Sequence, residues 1–558
     1  MISSRALGVC VGSLLALSAA VNDAWAQPRP PGTVQPGQVE RQFERPPEPT
    51  VRDGVITIPG VAQQVPPNAD QIKFVLNQLT IDGVTVYPAD KLRAMYTGSL
   101  HKEVTLAAIY QIVEKLTAKY RNDGYILSQV IVPAQSVEDG NVRLQAIEGY
   151  IANVSVEGGS DSMRARIRKY GERIRASRPL KASALERNVL LMNDLPGVQA
   201  RAVLGPAATP GAANLVLQVT QSSFSAQSSG DSRGSKAQGR QRIFGDADFN
   251  SLFGGASLTE LRAVTTFDHE LTYAAGAYDQ FLGTQGGKIS FEGSYVYSRP
   301  QELLIIPLNL VTKSQTAAIT YTYPLMRSRR SNIYLRSALT AFNSKSTIFD
   351  IKDTEDRIRA VRIGATIDSG DRAGGVNVFD VEYSHGIGGI GASVNGDEYL
   401  SRSSGRADFQ RANLYASRIQ SLPAHFSVVV GVNGQYAFTD LLAPELFSWG
   451  GEQFGRGYDA SELLNDHGVG AKVDLRYTRL FGRSLLMPYG FYDWGQAWQR
   501  TTIAGIDPSQ TASSAGGGIR LGIGPRVSGF VEAAKPLDKL VTQENSRDPR
   551  IFFGVSIQ

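Results

Sequence analysis

The chain has a single cysteine, Cys10, in 558 residues. It falls within the first 26 residues, ahead of an expected cleavage point, so the processed chain carries no thiol. Disulfide staples and Cys-ligated metals are thereby excluded. Histidine is nearly as scarce. His101, His269, His385, His425 and His467 are the five present, and none stands at zinc-ligand spacing to another. Gly286-Gly287-Lys288-Ile289 lacks the leading Gly and the Ser/Thr of a phosphate loop, and Gly516-Gly517-Gly518 leads into nothing helical, so it reads as a strand of small residues. No catalytic residues, no metal site and no cofactor site emerge, and enzymatic activity is not expected. The net charge of +5 is mild, and without a basic cluster carrying interleaved aromatics it does not point to nucleic acid. No apolar run reaches the roughly 20 residues of a membrane-spanning helix.

What is present begins with a sorting signal. Arg5, an apolar run over residues 7–21 and Ala24-Trp25-Ala26 read as a secretory signal peptide, residues 1–26. Residues 27–69 form a Pro-rich segment and linker, with prolines at 28, 30, 31, 36, 46, 47, 49, 66 and 67 opposing a packed core. Between Pro36 and Pro46 the run GQVERQFER allows a helix of two or three turns over 37–45. So short a helix persists only when docked.

Residues 70–149 and 150–221 read as two small α+β units of one pattern: strand, helix, helix, strand, strand. In the first, a strand is expected over 72–81 and a short helix over 89–96. Leu106, Ile109, Val113, Leu116 and Tyr120 then recur at steps of three and four, the apolar stripe of a helix. Gly124 ends it, and Asp139-Gly140 joins a hairpin. In the second, a strand over 151–156 precedes helices over 163–174 and 182–191. Asp194-Leu195-Pro196-Gly197 stops the latter before a hairpin over 198–219. Units this small leave open sheet edges, which suit pairing with an extended chain.

Residues 222–558 read as strands without helices. Ile289, Phe291, Tyr295 and Tyr297 alternate with Lys288, Ser290, Glu292 and Ser294. Ile333, Leu335 and Leu339 alternate with Tyr334, Arg336 and Thr340, and Val361, Ile363 and Ile367 with Arg362, Gly364 and Thr366. Ile551, Phe553, Val555 and Ile557 share a face. Apolar-out, polar-in alternation is the pattern of a transmembrane β-barrel. At about 9–11 residues per crossing, the region holds an even number of strands in the mid-teens. A soluble sandwich also alternates, but it has no need of aromatics at strand ends such as Tyr321, Tyr323, Trp449 and Trp494.

A long glycine-rich loop near 445–470 interrupts this pattern and carries Gly455-Arg456-Gly457-Tyr458. Lys472, Asp474, Arg476 and Thr478 then alternate with Val473, Leu475 and Tyr477. The later strand carries Phe491-Tyr492-Asp493-Trp494-Gly495. Flanking glycines permit a tight turn, and an Arg–carboxylate pair fixes geometry as well as charge. Arg456 is therefore expected to fold back onto Asp493.

Taken in order, these features resemble the outer-membrane transporters of two-partner (type V) secretion, the family of haemolysin and filamentous haemagglutinin secretion/activation proteins. The resemblance rests on PGQVERQFERPPEP, Ile147-Glu148-Gly149-Tyr150-Ile151, Asp194-Leu195-Pro196-Gly197, Tyr321-Thr322-Tyr323-Pro324-Leu325 with Arg327, and Leu441-Leu442 leading to the loop. It implies two periplasmic POTRA domains followed by a sixteen-stranded outer-membrane barrel. The pore-loop motif is Arg456, Gly457 and Tyr458, and the wall motif that receives it is Phe491, Asp493 and Gly495. The chain departs from the family in having Gly455 where Val is frequent, and Gln558 where barrels often end in an aromatic. The implied partners are an unfolded exoprotein of adhesin, haemagglutinin or haemolysin type and the lipid of the outer membrane, with no nucleotide hydrolysed. The 37–45 helix would obstruct the resting pore. Two other readings share these features: a barrel-assembly factor of the same superfamily and a passive porin.

Overall fold

The computed structural model describes residues 32–44, 46–51, 65–301, 306–502 and 507–558; the expected signal peptide and Arg45 lie outside the described residues. From Phe224–Asp231 to Arg550–Ile557 the chain runs up and down as antiparallel neighbours, and the last strand pairs with the first. His467–Tyr477 and Arg479–Phe481 are one wall strand broken at Thr478, since both pair with Ser484–Trp498. The barrel thus has sixteen strands. Closure matters physically because it leaves no wall as an open sheet edge.

The two faces of the wall follow the alternation. Phe291, Tyr295, Leu335, Leu339, Ile363 and Ile367 are exposed on the outside, while Glu292, Arg336, Thr340 and Arg362 line the lumen. Ile551, Phe553, Val555 and Ile557 are all exposed. An outer surface so apolar is stable only against lipid. Inward charges are paired across strands: Arg336 with Asp380 at 2.8 Å, Arg262 with Asp246 at 2.6 Å, and Lys288 with Asp279 at 2.6 Å. No helix among the described residues is long and apolar enough to cross a membrane. Two short 3-10 turns, Ile306–Leu308 and Ala443–Glu445, are the helical exceptions described in this region.

Two POTRA units precede the barrel. In the first, helix Leu106–Asn122 buries Ile109, Val113, Leu116 and Tyr120, and Thr105 caps its start through the Ala108 amide. The strand expected over 72–81 is in fact two, Lys73–Leu76 and Gln78–Asp82. They break at Asn77, whose backbone and side-chain nitrogens donate to Gly140 O and Asp139 O. The first half pairs with Lys102–Thr105, a strand the pattern did not announce, and the second pairs in parallel with Asn141–Ile147. The short helix is limited to Ala89–Arg93.

In the second unit, helices Asp161–Arg175 and Ala182–Asn193 cover a sheet in which Ala212–Gln221 lies between Tyr150–Gly158 and Val198–Pro206. The units are joined tightly. Leu180 N donates to Gly149 O and Ala182 N to Gly124 O, each at 2.8 Å, and Ile126 and Leu127 of the first pack on the core of the second.

The N-terminal segment lies inside the barrel. Its helix is shorter than expected, Gln38–Arg41, a single turn; too few internal bonds form for it to stand alone, and its contacts are with the barrel contents. Val39 and Phe43 pack on Val264, Leu271 and Val296 of the wall, and the Phe43 ring lies 4.8 Å from that of Tyr273. The segment traverses the lumen. Thr33 accepts from Gln543 at 2.6 Å at the end far from the POTRA units, and Thr50 donates to Asp368 at 2.7 Å at the near end.

Candidate functional site

The loop between strands Phe426–Ala437 and His467–Tyr477 turns back into the lumen. Phe447–Trp449 pairs with Leu463–Asn465 as a short hairpin stem, and the residues between form its tip. Wall glycines make the room. A Cβ on Gly468 would stand 1.9 Å from the Phe447 ring, and one on Gly470 or Gly495 would stand 2.7 or 2.5 Å from the Trp449 indole. Trp449 also donates from Nε1 to Trp494 O at 3.1 Å and is only 1% exposed. It is therefore a buried anchor of the loop. The reading of Trp449 as a strand-end aromatic facing the membrane is corrected: it precedes the wall strand, inside the loop.

The tip is built around Arg456. Gly455 takes φ +86° and sits against Trp449, where a Cβ would come within 2.8 Å of the indole; a β-branched side chain such as Val would fit neither that φ nor that space. The turn aims the Arg456 guanidinium at strand Ser484–Trp498. Nε lies 3.0 Å from Asp493 Oδ2 and Nη2 lies 2.6 Å from Asp493 Oδ1, a two-pronged pair. The Arg456 amide also donates to Asp493 Oδ2 at 2.9 Å. Phe491 underlies the group, its ring 3.6 Å from the guanidinium carbon. Period two places Phe491, Asp493 and Gly495 on the same inward face, so one strand supplies the platform, the carboxylate and the gap for Trp449.

A second carboxylate joins them. Asp474, on the neighbouring strand, accepts from Arg456 Nη2 at 2.6 Å and from Arg476 Nη2 at 2.7 Å. Its inward position was visible in the alternation of Lys472, Asp474 and Arg476; its role as a partner of the loop was not. Asp493 is 0% and Arg456 5% exposed, so the charges are held out of bulk water and depend on each other.

The neighbouring tip residues are also fixed. Gly457 N donates to Ser514 Oγ at 3.2 Å, and the Tyr458 hydroxyl lies 3.0 Å from Lys539 O and 3.2 Å from Asp538 Oδ1. Arg550 of the last strand pairs with Asp459 at 2.6 Å. Gly516 and Gly518 on the adjoining strand clear space for Phe491 and Tyr489, whose atoms a Cβ would approach to 2.6 and 2.8 Å. That is a physical reason for glycine at 516 and 518. Arg456, Gly457 and Tyr458 are thus brought together with Phe491, Asp493 and Gly495.

The N-terminal segment meets the same loop. Gln38 Nε2 donates to Ala443 O at 2.7 Å, Arg41 donates to Leu446 O, and Gln453 Nε2 donates to Glu44 O at 2.7 Å. Glu445 is held by Arg362 at 2.7 Å and Arg411 at 2.9 Å, with Arg41 4.0 Å away. Beside these two inserts the lumen keeps an open cavity of about 1590 Å³. No cluster of His, Cys, Asp and Glu able to hold a metal is found among the described residues.

The family model for haemolysin secretion/activation proteins ShlB/FhaC/HecB matches residues 211–521, more than half of the chain. The chain belongs to this family. A model for the ShlB-type POTRA domain matches residues 74–149 of the chain. Among curated relatives, the heme/hemopexin transporter protein HuxB of Haemophilus influenzae (strain 86-028NP) is 23% identical over 487 residues, covering 84% of each chain. The outer membrane transporter CdiB of Dickeya dadantii is 22% identical over 423 residues, 72% of each. Among solved structures, CdiB from Escherichia coli superposes with a TM-score of 0.71 at 16% identity, covering 89% of this chain and 92% of the other. CdiB from Acinetobacter baumannii gives 0.61 at 16% identity, covering 93% and 95%; these two likenesses concern the fold. Members of the family are transporters of the outer membrane that work with a secreted exoprotein partner, their POTRA domains standing in the periplasm. This chain is such a two-partner secretion transporter.

Proposed function

We propose that the POTRA pair receives an extended, unfolded exoprotein by strand addition and passes it through the lumen to the cell surface without nucleotide hydrolysis, and that the protein is not an enzyme. The edges suited to strand addition are Gln78–Asp82 and Gln129–Ile131 in the first unit and Tyr150–Gly158 and Val198–Pro206 in the second. Backbone pairing there binds with little regard to sequence, as a chain exported in one direction along its length requires. The outer face of the wall meets lipid of the outer membrane.

The single observation that carries the mechanism is the burial of Arg456 between Asp493 and Asp474 on the inner wall. In this reading Arg456-Gly457-Tyr458 is the clasp of the loop, Phe491, Asp493 and Gly495 are its seat, and the Gln38–Arg41 turn obstructs the resting pore beside it. Release of the clasp and departure of the turn would widen the lumen to pass an extended chain. Deletion of residues 27–69 behind an intact signal tests the obstruction. Conductance in planar bilayers is expected to rise; conductance equal to the parent's would refute it. Secretion of the partner by Arg456→Ala at the parent's level, with the barrel inserted, would remove the clasp from the mechanism.

A further inference from the structure

Asp194, the C-cap of helix Ala182–Asn193 in the second POTRA unit, and Arg327, the last residue of wall strand Val311–Arg327, meet at the periplasmic rim from 133 residues apart. The contact is two-pronged, Nε to Oδ2 and Nη2 to Oδ1, both 2.8 Å. The Arg327 side chain is 0% exposed. Its remaining nitrogen, Nη1, donates to Asn332 Oδ1 at 3.0 Å, and Asn332 Nδ2 donates to Asp368 Oδ1 at 2.7 Å. The other Asp368 oxygen accepts from Thr50, from the amide at 3.2 Å and the hydroxyl at 2.7 Å. Thr50 belongs to the segment that descends from the Gln38–Arg41 turn. A continuous polar chain, Asp194–Arg327–Asn332–Asp368–Thr50, therefore ties the POTRA seat to the tail that occupies the lumen.

We propose that this chain couples the two attachments: unseating the second POTRA unit loosens the N-terminal segment. Arg327 and Asp368 are its positioning residues. When Asp194 leaves, Arg327 loses its two-pronged carboxylate partner, the strongest contact it makes. The other carboxylate of the chain is Asp368, which Thr50 occupies; Arg327 turning to it displaces Thr50. The POTRA units are where an extended partner would act, and the tail is what stands in its way, so the link carries the signal of arrival to the obstruction. This inference rests on the reading that the turn obstructs the resting pore.

The test uses the full chain in proteoliposomes, with Val39→Cys placed in a Cys10→Ser background and its modification by a membrane-impermeant maleimide timed. Couplings between sites commonly amount to about 5–150-fold, so Asp194→Asn is expected to speed labelling at least about fivefold. Asp368→Asn is expected to do the same from the tail side. Asp194→Glu, which keeps the carboxylate, should return the rate toward that of the parent. Unaltered heat-modifiable migration of the barrel separates this from misfolding, a readout that a merely structural role would shift. Slow labelling in Asp194→Asn alongside fast labelling in Asp368→Asn would overturn the coupling alone. Fast labelling in the Val39→Cys parent would overturn the obstruction and the coupling with it.

Discussion

The barrel wall and the material inside it obey different rules. In the wall, a residue's environment follows from its parity except at bulges such as those at Pro324/Met326 and Ser346/Thr347: odd and even positions face lipid or lumen, and neighbouring strands supply the backbone partners. Inside, the loop and the N-terminal segment have almost no regular structure of their own. They are held by side chains reaching far along the sequence, such as Arg456 to Asp493 and Gln38 to Ala443, the latter 405 residues apart. The wall gets its permanence from a repeated local pattern. The inserts get their position from a few specific contacts, each of which is removable singly.

Substitutions can break that contrast in graded steps. Arg456→Ala leaves Asp493 and Asp474 facing each other without their shared cation. Losing one partner of a fully buried ion pair costs roughly 3–5 kcal/mol, and water in the lumen reduces that figure. Secretion is expected to fall steeply while heat-modifiable migration stays as in the parent; a lost barrel would mean that the insert supports the wall. Leu339→Arg attacks the other side, placing a charge on the lipid face. A cost of about 2–4 kcal/mol is expected at mid-bilayer, read as a lowered urea midpoint for folding into lipid vesicles. Gly495→Ala sets a methyl against the Trp449 indole, and overpacking of this kind costs about 1–3 kcal/mol. It should loosen the loop and raise channel fluctuation in planar bilayers without altering wall stability. Ser160→Ala removes the hydroxyl that accepts from the Met163 amide at the start of helix Asp161–Arg175. About 1 kcal/mol of local stability is expected to be lost, visible as faster amide exchange in that helix and nowhere in the barrel.

The same contrast explains what was legible in the sequence. Alternations such as Ile551, Phe553, Val555 and Ile557 place a strand and its lipid face without further information. The stripe Ile109, Val113, Leu116 and Tyr120 does the same for a helix. Phe491, Asp493 and Gly495 are recognisable as one inward face for the same reason. The break at Asn77 is not legible, because Gly140 and Asp139 draw its polar groups away, and they lie more than sixty residues downstream. Trp449 misleads because an aromatic beside strand residues looks like a membrane belt until the glycines at 470 and 495 are seen to make its pocket. Asp474 faces inward by parity, yet nothing local says that Arg456 will reach it. The link from Asp194 to Arg327 joins two short motifs whose meaning appears only when a POTRA unit is seated on the rim.

The traverse of the lumen by residues 33–44 and 46–51 also bears on how the molecule is put together. The ring is sealed where its first and last strands meet, at the register Gly554↔Asp231 to Ile557↔Ser228, and the tail lies within the sealed ring. If the seam zips early, the tail has only a mouth already narrowed by the folded loop through which to pass. If it zips late, the tail is enclosed without threading. Sealing and swallowing are a single kinetic problem for this chain, and a barrel that closes too soon would leave its N-terminal tail outside.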